Sequence, residues 1–274
     1  GAIARLGCLV PHRRVRQVLP VLIAMALVHV RIVGICVAAR DLRKGAWRRK
    51  PPMRSGRAGL TSFSVQVDLA ACVACGVCAR SGICQDGAFI KEDLPWPRIL
   101  RAEFSDPMVP HKKTDIAGRG TAEMKTNDLT GRVKRGEVGV AVELGRPGVG
   151  ARFTEVEKVS REVARLKIPL EDANPVSALV RDPAQGTFPP EILGEKVLSA
   201  IVEFKVPFAR LGEILGLLQR ILPELDTVAS VSLIGCSEKD GRIPLEEFLT
   251  RRNIPFYPNG KVNIGLGRPL KTVS

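Results

Sequence analysis

The chain has 274 residues, 45% of them hydrophobic and 26% charged, enough apolar material to bury a core in one or two domains. Its formal net charge is +14, yet residues 1–57 hold 13 of the 42 lysines and arginines against one acid, Asp41, which leaves the rest nearly neutral with 29 bases and 27 acids. With one tyrosine and two tryptophans in the whole chain, the main body offers neither a continuous basic surface nor an aromatic stacking platform, so no nucleic-acid partner is expected.

In chain order, residues 1–57 come first, as a basic and apolar N-terminal extension, either helical or disordered. Within it, VLPVLIAMALVHVRIVGICVAA (18–39) has the length of a membrane helix and basic clusters at both ends. Pro20, His29 and Arg31 work against that reading, because an arginine at bilayer depth is costly. Three readings stand. The segment is an unordered extension of the kind that upstream translation of a GC-rich gene would add before Met53, a membrane- or surface-associated helix, or a packed helix. Cys8 and Cys36 lie here and carry no assigned role.

Residues 58–110 form a small module around four clustered cysteines. SFSVQVDLAAC (62–72) alternates Phe63, Val65 and Val67 and reads as a strand leading into the first of them. The spacing is Cys72-x2-Cys75-x2-Cys78-x5-Cys84. Two residues between thiols let a short loop curl around a metal centre and aim three sulfurs at it. Gly76 follows the second cysteine, where the chain must turn tightly. DGAFIKED (86–93) reads as a turn and a returning strand. Three chemistries are open to such a cluster. One is iron–sulfur. Another is structural zinc, whose sites usually separate two cysteine pairs by a longer loop. The third is disulfide formation, which needs an oxidising compartment. Cys236, in LIGCSEKDG, is the long-range alternative to Cys84, against its plainer reading as a small buried residue at a strand end.

Residues 62–93 resemble a bacterial-type ferredoxin module. The resemblance implies one [4Fe–4S] cluster held by Cys72, Cys75, Cys78 and, as fourth ligand, Cys84. There are two departures. Five residues rather than three precede Cys84, and Gln85 stands where a proline is common. No second run of this type exists, so one cluster is the most the motif supports.

Residues 111–136 (HKKTDIAGRGTAEMKTNDLTGRVKRG) fit neither the helical nor the strand period. Glycines 118, 120, 131 and 136 allow tight turns, and Arg119, Lys125 and Arg132 are candidates to meet an anionic ligand. Neither the P-loop spacing nor GxGxxG is present, and a solvated connector is the competing reading.

Residues 137–274 repeat one pattern. Val138, Val140, Val142 and Leu144 alternate, and Val156, Val159, Val163 and Leu166 then take helical spacing. Leu198, Ala200, Val202 and Phe204 alternate again, followed by Leu211, Leu215, Leu218 and Leu222 at helical spacing. PVSALV (175–180) and TVASVSLIG (227–235) read as the strands that follow each helix, PLEEFLTRRN (244–253) as a short helix, and PFYPNGKVNIGLG (255–267) as a closing hairpin. The fold class is therefore α+β, a cluster module followed by a ferredoxin-like βαββαβ sandwich. ELGRPGVGARFTEV (143–156) is also similar to the opening of an ACT domain, which implies a small anionic ligand near the turn. Arg146, Gly148 and Gly150, next to a helix N-terminus, are its candidates.

Together these readings imply an electron-transfer protein or accessory subunit that meets a redox partner protein. The alternative is a redox-responsive module that binds a small anionic metabolite. Neither a Ser-His-Asp ordering nor a histidine metal cluster stands out among His12, His29 and His111, so no catalytic residue is assigned. A cytoplasmic location is expected, with membrane contact open to the N-terminal segment, and a homo-oligomer is compatible with the pattern.

Overall fold

The computed structural model describes residues 65–81, 93–112, 115, 132–146, 148–238 and 240–256, together with the backbone of residues 21–25, 30–37 and 47–49. In chain order the elements are β1 (Val21–Met25), β2 (Val30–Val37), β3 (Trp47–Arg49), β4 (Val65–Val67), α1 (Val77–Arg80), α2 (Ile99–Ser105), β5 (Glu137–Leu144), β6 (Ala151–Arg152), α3 (Phe153–Arg165), β7 (Lys196–Val197), β8 (Ala200–Pro207), α4 (Leu211–Ile221), β9 (Ala229–Cys236) and α5 (Pro244–Arg251). The class is α+β.

The main sheet has the order β1-β2-β9-β5-β8, and every neighbouring pair is antiparallel. Register sets its inner face. Phe204, Val140 and Leu233 form one row across β8, β5 and β9, Val202, Val142 and Val231 the next, and Ala200, Leu144 and Ala229 the third. All nine are buried. Directly opposed apolar side chains of this kind are the unit of sheet stabilisation. Val156, Val159 and Val163 of α3 and Leu211, Ile214, Leu215 and Leu218 of α4 join them in one core. The 3.6-residue spacing of those positions is what puts them on a single helix face.

β8, α4 and β9 form a crossover in which the parallel strands β8 and β9 flank β5. Beyond β8, the next position in the sheet holds only a single bridge, Leu170 to Phe204, and the amide of Glu171 donates to the carbonyl of Glu203.

Two expectations are corrected here. PVSALV is not a strand, because its centre, Ser177–Leu179, is a 3-10 turn. The side-chain oxygen of Asn174 accepts the Val176 amide at 2.7 Å, and the Leu179 amide returns to the Val176 carbonyl. Local bonds therefore consume the groups that a strand would have offered to β8. The stretch 18–39, expected to be helical or unordered, supplies β1 and β2 instead, and β2 pairs along the whole length of β9. Among the described residues no helix is long and apolar enough to cross a membrane.

Helix α2 had no counterpart in the sequence reading. It is buried along nearly its whole length, and Leu100 and Phe104 enter the same core as β5 and α3. Phe104 meets Phe153 edge-to-face at 5.5 Å, and Phe153 meets Phe188 at 5.7 Å. Packing therefore runs across the boundary drawn near residue 110. The hairpin expected near 255–267 lies mostly outside the described residues.

Candidate metal centre

Strand β4 delivers the chain to a loop, residues 68–81, that carries Cys72, Cys75 and Cys78. Asp68 opens it. Its carboxylate accepts the Ala70 amide at 3.0 Å, and its carbonyl accepts the amides of Ala71 and Cys72. Ala74 and Gly76 then take left-handed backbone angles, φ 55° and 68°. Gly76 is favoured by its left-handed backbone, and a Cβ there would also push against the tips of the Arg80 and Asp106 side chains, 2.6 Å from the Asp106 carboxylate. Ala74 and Gly76 reverse the chain between the cysteines, and the Ala74 amide donates to Cys72 Sγ at 3.4 Å. All three thiols are free, Cys72 and Cys75 half-buried and Cys78 exposed.

The loop is held from several sides, Arg98 among them through the Leu69 carbonyl. Arg80 donates to the Cys75 carbonyl at 2.7 Å and pairs with Asp106. Arg101, 5% exposed, donates through Nη1 to the carbonyls of Leu69 (2.6 Å) and Cys72 (2.7 Å), while its Nε pairs with Glu195. A Cβ built on Gly150 would lie 3.3 Å from a Val73 methyl, which puts the cysteine loop directly against the Gly145–Gly150 turn. Sequence reasoning missed Arg101 and Glu195. They are 94 positions apart, and no local pattern links them.

The features that bear on a thiolate-held cluster are donor type, spacing and backbone shape. Four clustered cysteines are the donor set such a cluster uses, and an amide aimed at a sulfur is a contact that tunes it. Among the described residues, no three Cys, His, Asp or Glu side chains are gathered as a metal cage. The assigned fourth ligand, Cys84, lies outside the described residues. Cys236 is removed as its substitute. It ends β9 at the Val138 end of β5, where its thiol donates to the Val133 carbonyl, whereas the cysteine loop abuts Gly150 beyond the Leu144 end. Eight strand residues separate those ends by about 23 Å.

The anion-ligand candidates do not form one site. Arg132 precedes β5 and pairs with Glu171 at 3.7 Å. Arg146, Gly148 and Gly150 follow β5 at its other end, and Arg146 pairs with Glu143 at 3.6 Å. The amides of Val149 and Gly150 are spent on the Gly145 carbonyl. The first amides of α3, those of Phe153 and Thr154, are taken by the carbonyls of Glu195 and Leu193. Two of the four amides that a helix start leaves open are therefore taken by the chain itself. Arg119 and Lys125 lie outside the described residues.

Among the described residues the exposed large hydrophobics are Leu69, Val77, Trp96 and Met108. Leu69 and Val77 belong to the cysteine loop, and the other two lie in the sequence beside residues that bond it or its partners. Trp96 lies two positions before Arg98, which donates to the Leu69 carbonyl, and the Met108 amide donates to Asp106.

No protein-family model, curated protein or solved structure matches this chain.

Proposed function

We propose that this chain is an iron–sulfur protein holding one [4Fe–4S] cluster through Cys72, Cys75, Cys78 and Cys84, and that it serves electron transfer to or within a partner redox enzyme. The observation that carries the reading is the loop itself. It combines the Cys-x2-Cys-x2-Cys run with left-handed turns at Ala74 and Gly76, free thiols and an amide donated to Cys72 Sγ. When bound, such a cluster exchanges electrons one at a time at a potential set by its surroundings. The chain's own residues hold the loop, supply hydrogen bonds to sulfur and present the apolar border through which a partner would approach. Leu69 and Val77, exposed apolar side chains on the cysteine loop itself, support a protein partner that approaches there. Free thiols and a thiolate cluster go with a reducing, cytoplasmic location.

The C-terminal unit is read as a ferredoxin-like sandwich. Its support is the antiparallel order β9-β5-β8, the crossover that straddles β5, and the Leu170 bridge in the fourth-strand position. The regulatory alternative has less support, because the amides of Val149, Gly150, Phe153 and Thr154, four of those around the turn and helix start, are bonded within the chain.

Anaerobic purification with iron, sulfide and zinc analysis tests the proposal. About four irons and four sulfides per chain, with an EPR signal on dithionite reduction that Cys75→Ser abolishes, is the expected result. Zinc without sulfide would remove the electron-transfer reading.

A further inference from the structure

Arg101 sits where three parts of the molecule meet. Its α2 is anchored in the core through Leu100 and Phe104. Its guanidinium reaches up to the cysteine loop and binds the carbonyls of Leu69 and Cys72. Its Nε pairs with Glu195, whose own backbone carbonyl accepts the first amide of α3. An unbroken chain of bonds thus runs from the backbone of the first cysteine, through Arg101 and Glu195, to the N-terminus of α3. Both side chains are well shielded, with side-chain exposures of 6% and 15%. In such surroundings a charge-assisted bond is strong and its loss is costly.

We infer that Arg101 is the positioning residue of the cluster, its planar fork fixing the cysteine loop to the α+β core, with Glu195 as the counter-charge of its guanidinium. The inference rests on the iron–sulfur reading above. Two features of arginine matter separately. The fork spans two loop carbonyls and a carboxylate at once, which a single ammonium on a flexible stem cannot reproduce. The positive charge, bonded to the backbone of the first cysteine, would favour the reduced form of the cluster if it were left uncompensated. Glu195 cancels it. The residue's role is therefore geometric in the native chain and becomes electrostatic only when Glu195 is removed.

Three full-length variants separate these effects. Arg101→Lys keeps the charge and loses the fork, Arg101→Gln loses both, and Glu195→Gln keeps the fork and exposes the charge. The first readout is the rate of cluster loss to an iron chelator. The expected result is roughly tenfold faster loss in Arg101→Lys and Arg101→Gln, the equivalent of one charge-assisted bond. The second is limited proteolysis of the metal-free chains. The two arginine variants should be cut faster within residues 68–81 while the core stays protected. The third is the midpoint potential, which should move to more positive values in Glu195→Gln with cluster content retained. Wild-type loss rates and cleavage patterns in both arginine variants, or an unmoved potential in Glu195→Gln, would overturn the inference. If an arginine variant fails to fold, the Glu195→Gln potential still decides. Failure of the parent reading looks different, because the wild-type chain itself would then carry no iron or sulfide.

Discussion

Gly148 and Gly150 occupy the same turn with nearly the same backbone angle, φ 66° and 74°, but in different surroundings. A Cβ at Gly148 would meet nothing within 4 Å. A Cβ at Gly150 would lie 2.8 Å from the Val197 carbonyl oxygen, 3.0 Å from Lys196 Cε and 3.3 Å from Val73 Cγ1. Alanine at either position bears the left-handed penalty of an L-residue, about 1–2 kcal/mol. At Gly150 the lysine stem can swing away, but the Val197 carbonyl belongs to β7, which pairs with β6. Relieving that contact means shifting backbone, at a further cost of about 1–2 kcal/mol. Gly150→Ala should therefore cost about 2–4 kcal/mol in all, and at about 2–4 °C per kcal/mol its Tm should fall clearly further than that of Gly148→Ala. Thermal unfolding followed by circular dichroism measures both variants under one condition. Because the conformational penalty is common to the two, their difference isolates the contact. Equal Tm shifts would refute the packing of this turn against β7 and the cysteine loop.

Other outcomes follow from the same structure. Phe104→Ala should remove about 3–5 kcal/mol and still unfold in a single transition, since Phe104 packs on Phe153 inside the common core. A separate early transition would show that α2 belongs to an independent module. Burial raises the pKa of the Glu103 carboxyl above its usual value of 4.5, and the nearby Lys112 ammonium only partly opposes this. A raised folded-state pKa means that this group's contribution to stability is fully present below pH 4.5 and is lost as pH climbs through the folded value. Glu103→Gln, which cannot ionise, should consequently gain on the wild type across that rise. A Tm series against pH would show a widening gap, and a constant gap would contradict it. Cys236→Ser should leave iron and sulfide content unchanged, because Cys236 lies at the far end of the sheet from the cysteine loop. A variant that lost the cluster would reverse that placement.

What could be read from local pattern was read where one periodicity dominates. The alternation of Val138, Val140, Val142 and Leu144 and the helical spacing of Val156, Val159 and Val163 each report one buried face, and burial is what makes those elements form. The PLEEFLTRRN helix and the VQV strand were legible for the same reason. The cysteine spacing was legible as a donor set, because ligands two residues apart need no distant partner to be recognised.

Only the tertiary structure decided the rest, since each remaining feature depends on a partner far away in the chain. VRIVGICV became a strand because β9 had a free edge, and PVSALV became a 3-10 turn because Asn174 and local carbonyls claimed its amides. Arg132 and Arg146, each a candidate to meet an anion, stand at opposite ends of β5. Arg101 and Glu195 look like ordinary surface charges until folding buries them together beneath the cysteine loop. Local sequence encodes which face of an element is apolar. It does not encode which edge, carbonyl or counter-charge the folded chain will bring against that element, because those contacts form only when segments many residues apart pack together.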